Sequence, residues 1–177
     1  MPCHRQSGLT LVELALSLSI AGLLLCNALP ALSDLMQRMR LQSVADLLRA
    51  DIQEARSQAV MRRGNLQMHF ESDANGTCYI VHAGGAGACR CTAAHEAQCL
   101  SPARAIRTQW LPASLQIALA GGKDMTFAAG QGTVTPAATL VLRNGRGDVI
   151  HQIISGAGRV RACAPGARFG ALPACAA

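Results

Sequence analysis

The sequence predicts an α+β protein in which one long N-terminal helix precedes a strand-rich domain. Three observations support this. Residues 14–33 are 20 consecutive uncharged, mostly aliphatic residues, and an apolar stripe at helical spacing continues to Ala59. Beyond Gly64 the pattern changes to short apolar runs broken by Gly, Asn, Asp and Pro, as strands and turns read. Only 15% of the 177 residues are charged, against about 25% in a typical soluble domain, so part of the chain does not live in water. The length suits one domain with an appendage and is too short for two full domains.

The apolar run follows a short basic leader, residues 1–8, and between Glu13 and Asp34 it spans about 30 Å as a helix, enough to cross a bilayer core. Arg5 is the positive flank that stays cytoplasmic. A removed secretory signal ends in a small-residue cleavage site after a shorter stretch. Here the run passes directly into an amphipathic helix, which argues against that reading. Glu13 stands at the threshold of the run. An ionisable group there is a functional hypothesis by default, and a plain interfacial residue is the alternative.

Leu41, Val44, Ala45, Leu48, Ile52, Ala55 and Ala59 form the core-facing stripe of the next segment, with Arg49, Asp51, Glu54, Arg56 and Arg62 off it. Gly64 reads as a C-cap, so the helix runs from about residue 9 to 63, roughly 80 Å. The stripe is too short, and lacks the heptad repeat, for a coiled coil.

In the remainder, NLQMHFE alternates Leu66, Met68 and Phe70 with Gln67, His69 and Glu71, a half-buried strand. Residues 73–76 form a turn, and TCYIVHA returns as the partner strand. SLQIALA, MTFAA, ATLVLR and DVIHQII follow. Residues 143–148 read as a hairpin turn, and their Arg-Gly-Asp also resembles an adhesion tripeptide.

The leader glycine, then Leu9-Thr10-Leu11-Val12-Glu13, then the apolar run, together resemble the class III leader of type IV pilins and type II secretion pseudopilins. The resemblance implies that a prepilin peptidase cleaves after Gly8 and that Leu9 becomes the methylated first residue, where the family usually has Phe or Met. It implies that Glu13 neutralises a neighbouring subunit's N-terminal amine during assembly, in keeping with the rule that a buried charge persists when paired. Pro30 matches the proline that kinks the pilin helix. Ala55, Arg56, Ser57, Ala59 and Arg63 look like the helix-to-strand signature of the FimT/GspH minor pilin subgroup, and ISGAGRVR is similar to its last strand.

The resemblance is sharp over residues 8–70 and 149–161 and weak between them. It implies a pilin-like fold with the helix packed on antiparallel β-sheet. Residues 1–8 are then a leader, 9–36 a transmembrane or filament-core helix, and 37–177 a periplasmic domain. That domain divides into an amphipathic helix at 37–63, a β-rich part at 65–161 and a disulfide-closed tail at 162–177. The implied partners are other major and minor pilins or pseudopilins, the peptidase and the bacterial inner membrane.

In that topology six cysteines face the periplasm. Cys3 leaves with the leader, and Cys26 is a small hydrophobe in the apolar helix. Six cysteines allow fifteen pairings. The expectation is Cys163 with Cys175, closing the tail, and Cys78, Cys89, Cys91 and Cys99 paired among themselves. Cys89, Cys91, His95 and Cys99 also make a Cys₃His zinc set, but an oxidising compartment favours disulfides, and no metal is assigned.

The excess charge is lopsided. Residues 100–177 hold eight basic and two acidic residues, whereas residues 9–99 hold seven and eight. In a strand, Arg159 and Arg161 share one face about 6.5 Å apart, with Val160 pointing to the core. Arg168 lies in the tail that the disulfide folds back beside them, and Arg143 and Arg146 sit on a neighbouring turn. Guanidinium forks suit phosphate, and unspecific duplex binding needs little else. Aromatics are only 3% of the chain, which leaves little for stacking single strands. A solvated strand face is the other reading of the same charges.

Gly158-Arg159-Val160-Arg161 resembles a GRxR motif that in FimT-type minor pilins is associated with capturing DNA during natural transformation. The resemblance thus implies a type IV pilus minor pilin that binds double-stranded DNA. Its alternative is a GspH-like minor pseudopilin of a type II secretion system, with a structural, priming role. No catalytic constellation, phosphate loop or cofactor motif stands out, so neither an enzyme nor a cofactor is expected.

Overall fold

The computed structural model describes residues 10–62, 64–92, 94, 96–166 and 169–175, apart from the side chains of Leu25, Asn27 and Ala28. Helix α1 (Leu11–Met61) comes first and strands follow it. The chain divides into two compact units, residues 1–37 and 38–177.

In the first unit α1 opens on a local cap. Thr10 Oγ1 accepts a hydrogen bond from the Glu13 amide at 3.3 Å, and Thr10 and Glu13 have the spacing of a capping box. The hydroxyls of Ser17 and Ser19 donate to the carbonyls of Glu13 and Ala15, each at 2.8 Å, so these polar groups are satisfied within the helix. Leu11, Leu16, Leu18, Leu23 and Leu24 are all exposed. A helix apolar on every side belongs in a membrane or inside an assembly, and α1 is long and apolar enough to cross one. It continues through Pro30.

In the second unit the remainder of α1 lies on two antiparallel sheets. Strands β1 (Leu66–Asp73), β2 (Gly76–Ala83), β5 (Arg104–Pro112), β7 (Met125–Phe127) and β8 (Val134–Thr135) form the first, in the order β5-β2-β1-β7-β8. Strands β6 (Ile117–Ala120), β9 (Ala138–Asn144), β10 (Val149–Ile154) and β11 (Val160–Cys163) form the second, in the order β11-β10-β9-β6.

Leu41, Ala45, Leu48, Ile52, Ala55 and Ala59 are buried and join side chains of both sheets in one core. Each large aliphatic side chain buried there is worth about 1.5–3 kcal/mol. Gln152 interrupts the apolar row of β10, fully buried between Ile150 and Ile154. Its Nε2 donates to the Ala45 carbonyl at 2.9 Å, so the second sheet is bonded directly to the helix backbone.

A short hairpin, β3 (Cys89–Cys91) with β4 (Ala97–Cys99), covers the opposite face of β2, where Cys78, Ile80 and Cys89 form a second cluster. Strand β2 is therefore buried on both faces, and that is why TCYIVHA reads as a nearly continuous apolar run.

Two expectations change. Strand β5 was not foreseen: it is an edge strand of mixed polarity ending in Pro112, and its register against β2 slips between Val81 and His82, which breaks alternation. Asp51, expected on the solvent side of the helix, is 7% exposed. At the helix end, where the sequence suggests a cap at Gly64, a loop from the first sheet contributes: the Ala59 carbonyl accepts the Gly130 amide at 3.0 Å.

Candidate nucleic-acid interface

Strands β10 and β11 are joined by a tight turn. The Gly158 amide donates to the Ser155 carbonyl at 2.8 Å, the Ser155 amide to the Arg159 carbonyl at 3.0 Å, and the Arg159 amide to Ser155 Oγ at 3.2 Å. Gly158 has φ +73°, a conformation that glycine adopts without strain. Arg159 precedes β11 and Arg161 lies within it; both are exposed, and Val160 between them is buried. The alternation expected from the sequence is present. Among the described residues neither arginine forms an ion pair, whereas Arg38 pairs with Asp148 at 3.6 Å and Arg107 with Asp51 at 3.2 Å.

The two arginines border a groove of about 610 Å³ between β11 and the last turns of α1. The helix side contributes Arg56, Val60 and Met61, and no carboxylate is among the described residues that line it. Arg56 is half-buried, and its Nε donates to the Gly132 carbonyl at 3.2 Å. Val60 and Met61 are 45% and 75% exposed, so the helix side offers an apolar patch beside polar Gln53 and Ser57, which also line the groove. Chemically this is a surface for an extended anion with an apolar flank.

Arg143 and Arg146 do not join this cluster. Arg143 pairs with Val149 at the start of β10, whereas Arg161 pairs with Ile153 near its end. Four residues of strand separate those positions, about 13 Å. The turn they occupy is at the opposite end of the sheet, not beside Arg159. It is closed by Asn144, whose Oδ1 accepts from the Arg146 and Asp148 amides at 3.1 and 2.9 Å and whose Nδ2 donates to Asp148 at 2.8 Å. The aspartate of the Arg-Gly-Asp is thus engaged inside its own turn. Arg168, like Gly8, Leu9 and His95, lies outside the described residues.

The family model described as Type II transport protein GspH matches residues 44–159, well over half of the chain. The chain belongs to this family. The match runs from the amphipathic part of α1 to the first arginine of the site and includes the strands where the sequence resemblance was weakest. GspH membership makes the chain a minor pilin or pseudopilin, a structural protein that associates with other pilins or pseudopilins. No curated protein and no solved structure matches it.

The cysteines of this GspH-family domain are joined as Cys78–Cys91, Cys89–Cys99 and Cys163–Cys175. The first staples the small hairpin to β2, the second links its two strands, and the third ties the tail to β11. Three sulfurs of the zinc set are consumed in this way, and a disulfide offers no thiolate to a metal. His151 lies beside the third bridge, with its Nδ1 3.8 Å from Cys175 Sγ, and both sulfurs there are likewise oxidised. Among the described residues Cys26 is unpaired and exposed.

Two further arrangements were missed in the sequence. Asp51 of α1 and Tyr79 of β2 meet in the interior, and exposed Arg107 of β5 reaches the same carboxylate from the surface, residues distant in sequence with no local signal. Arg56 was read only as part of a helix signature, yet it sits in the groove. A hint for it existed in the glycines at 132 and 158, whose missing side chains make room for it.

Proposed function

We propose that this GspH-family chain is a minor pilin of a type IV pilus that binds double-stranded DNA without sequence preference through Arg159 and Arg161 during natural transformation. The observation that supports it is the pair of exposed arginines flanking buried Val160, beside a groove whose described lining holds no carboxylate. Unspecific duplex binding draws its affinity from such phosphate contacts.

Prepilin peptidase removes residues 1–8 after Gly8, and Leu9 becomes the methylated N-terminus. Residues 9–36 anchor the subunit in the inner membrane and later enter the filament, with residues 37–177 in the periplasm. Glu13 completes the first turn of α1 and neutralises the N-terminal amine of a neighbouring subunit, as an intramembrane carboxylate requires.

The test is a strain carrying Arg159→Ala with Arg161→Ala, scored for pilus assembly, transformation and exoprotein secretion together. Loss of transformation with pili and secretion intact supports the reading. Wild-type transformation would rule it out.

The description of the matched family as a type II transport protein favours one second reading. The chain is then a minor pseudopilin that primes a secretion pseudopilus, and its arginines are ordinary surface. A deletion that stops exoprotein release and leaves DNA uptake intact selects this reading.

A further inference from the structure

We propose that Arg56 is the positioning residue of the arginine site: it braces the turn that presents Arg159, and so sets where the Arg159 and Arg161 guanidinium groups stand. This rests on the DNA reading above.

The stem of Arg56 crosses a junction of two segments, the loop carrying Gly132 and the turn carrying Gly158. A Cβ on Gly132 would lie 3.0 Å from Arg56 Cγ, and a Cβ on Gly158 would lie 2.6 and 2.7 Å from its Nε and Cδ. The same Cβ on Gly158 would sit 2.5 Å from the Gly132 carbonyl oxygen, so the two backbones nearly touch. Both glycines have left-handed φ, +64° and +73°. The Val134 amide donates to the Gly156 carbonyl at 2.8 Å and ties the same two segments.

Arg56 locks this junction by donating from Nε to Gly132. Only arginine suits the position. It carries a donor on its stem as well as at its tip, whereas lysine has donors at the tip alone.

The experiment uses the full chain in a non-ionic detergent and a short fluorescent duplex of mixed sequence as probe. Arg56→Lys keeps the charge and removes the Nε donor. Both Arg56→Lys and Arg56→Ala are expected to weaken duplex binding about tenfold, within the coupling range of contacting residues. Arg56→Ala added to Arg159→Ala with Arg161→Ala is expected to have no further effect, because Arg56 acts through those two side chains. Rescue by lysine, or a full additive loss in the triple variant, would overturn the proposal and make Arg56 a direct phosphate contact.

Amide hydrogen exchange at Gly158 and Arg159 reads the brace without DNA. Exchange is expected to quicken at these two positions in Arg56→Lys while the core stays protected. Unchanged exchange, or unfolding of the whole domain, would overturn the proposal. If the wild-type chain binds no duplex, the DNA reading fails, and the exchange measurement still decides the brace.

Discussion

The Tyr79 hydroxyl donates a 2.7 Å hydrogen bond to Asp51 Oδ2, joining β2 to α1 inside the core. The other oxygen of the same carboxylate lies 3.2 Å from Arg107 Nε on β5. A carboxylate this buried is stable because both oxygens are engaged.

Burial, and then the hydrogen bond and charge of Asp51, push the Tyr79 phenol well above its ordinary value. It is the one tyrosine in the chain, so tyrosinate absorbance reports it alone. The folded phenol keeps its proton where an unfolded one loses it, above about pH 10. Its contribution to stability is therefore present below that pH and lost as pH rises beyond it. The expected spectrum shows no tyrosinate until unfolding; titration near pH 10 in the folded chain would contradict it. Tyr79→Phe should cost about 1.5–3 kcal/mol, the range for a hydrogen bond to a charged group, read as a shifted denaturant midpoint at unchanged slope.

His82 is fully buried on β2. Burial is the main cause lowering its pKa; the backbone at Ala83 opposes it, and the smaller effects of His69 and Asp124 lower and raise it in turn. The unfolded imidazole takes a proton below about pH 6.5 and the buried one resists it. Stability is thus lost as pH falls below that value. The stability of His82→Leu should depend less on pH there than that of the wild type; equal slopes for the two would count against this.

Non-reducing peptide mapping should recover Cys78–Cys91, Cys89–Cys99 and Cys163–Cys175. Cys163→Ser with Cys175→Ser should destabilise by about 3 kcal/mol in the chain-entropy account, measured by denaturant unfolding. Any other linkage among the six would refute the map.

Much of the fold was legible because its signals are local. The stripe from Leu41 to Ala59 follows helical spacing, and all but Val44 of its members are fully buried. Strands β1 and β2 and their turn were readable from alternation and from Asp73, whose Oδ1 accepts the Asn75 and Gly76 amides at 2.8 and 3.0 Å. What stayed hidden depends on partners distant in sequence. Asp51 looks like a surface residue until Tyr79 and Arg107 are brought to it. Strand β5 hides its period because an edge strand with a slipped register need not alternate. At the site, the arrangement of Arg159, Val160 and Arg161 is a local property of a strand. The distance to Arg143 and the approach of Arg56 depend on sheet order and helix docking, which no short motif encodes.

The most direct measurement is duplex affinity of the full chain in detergent across a salt series, for the wild type and for Arg159→Ala with Arg161→Ala. Each phosphate contact contributes about 0.9 to the slope of log K against log salt concentration. The account predicts steep, sequence-independent binding by the wild type and a slope shallower by about 1.8 in the double variant. An unchanged slope and affinity would contradict it.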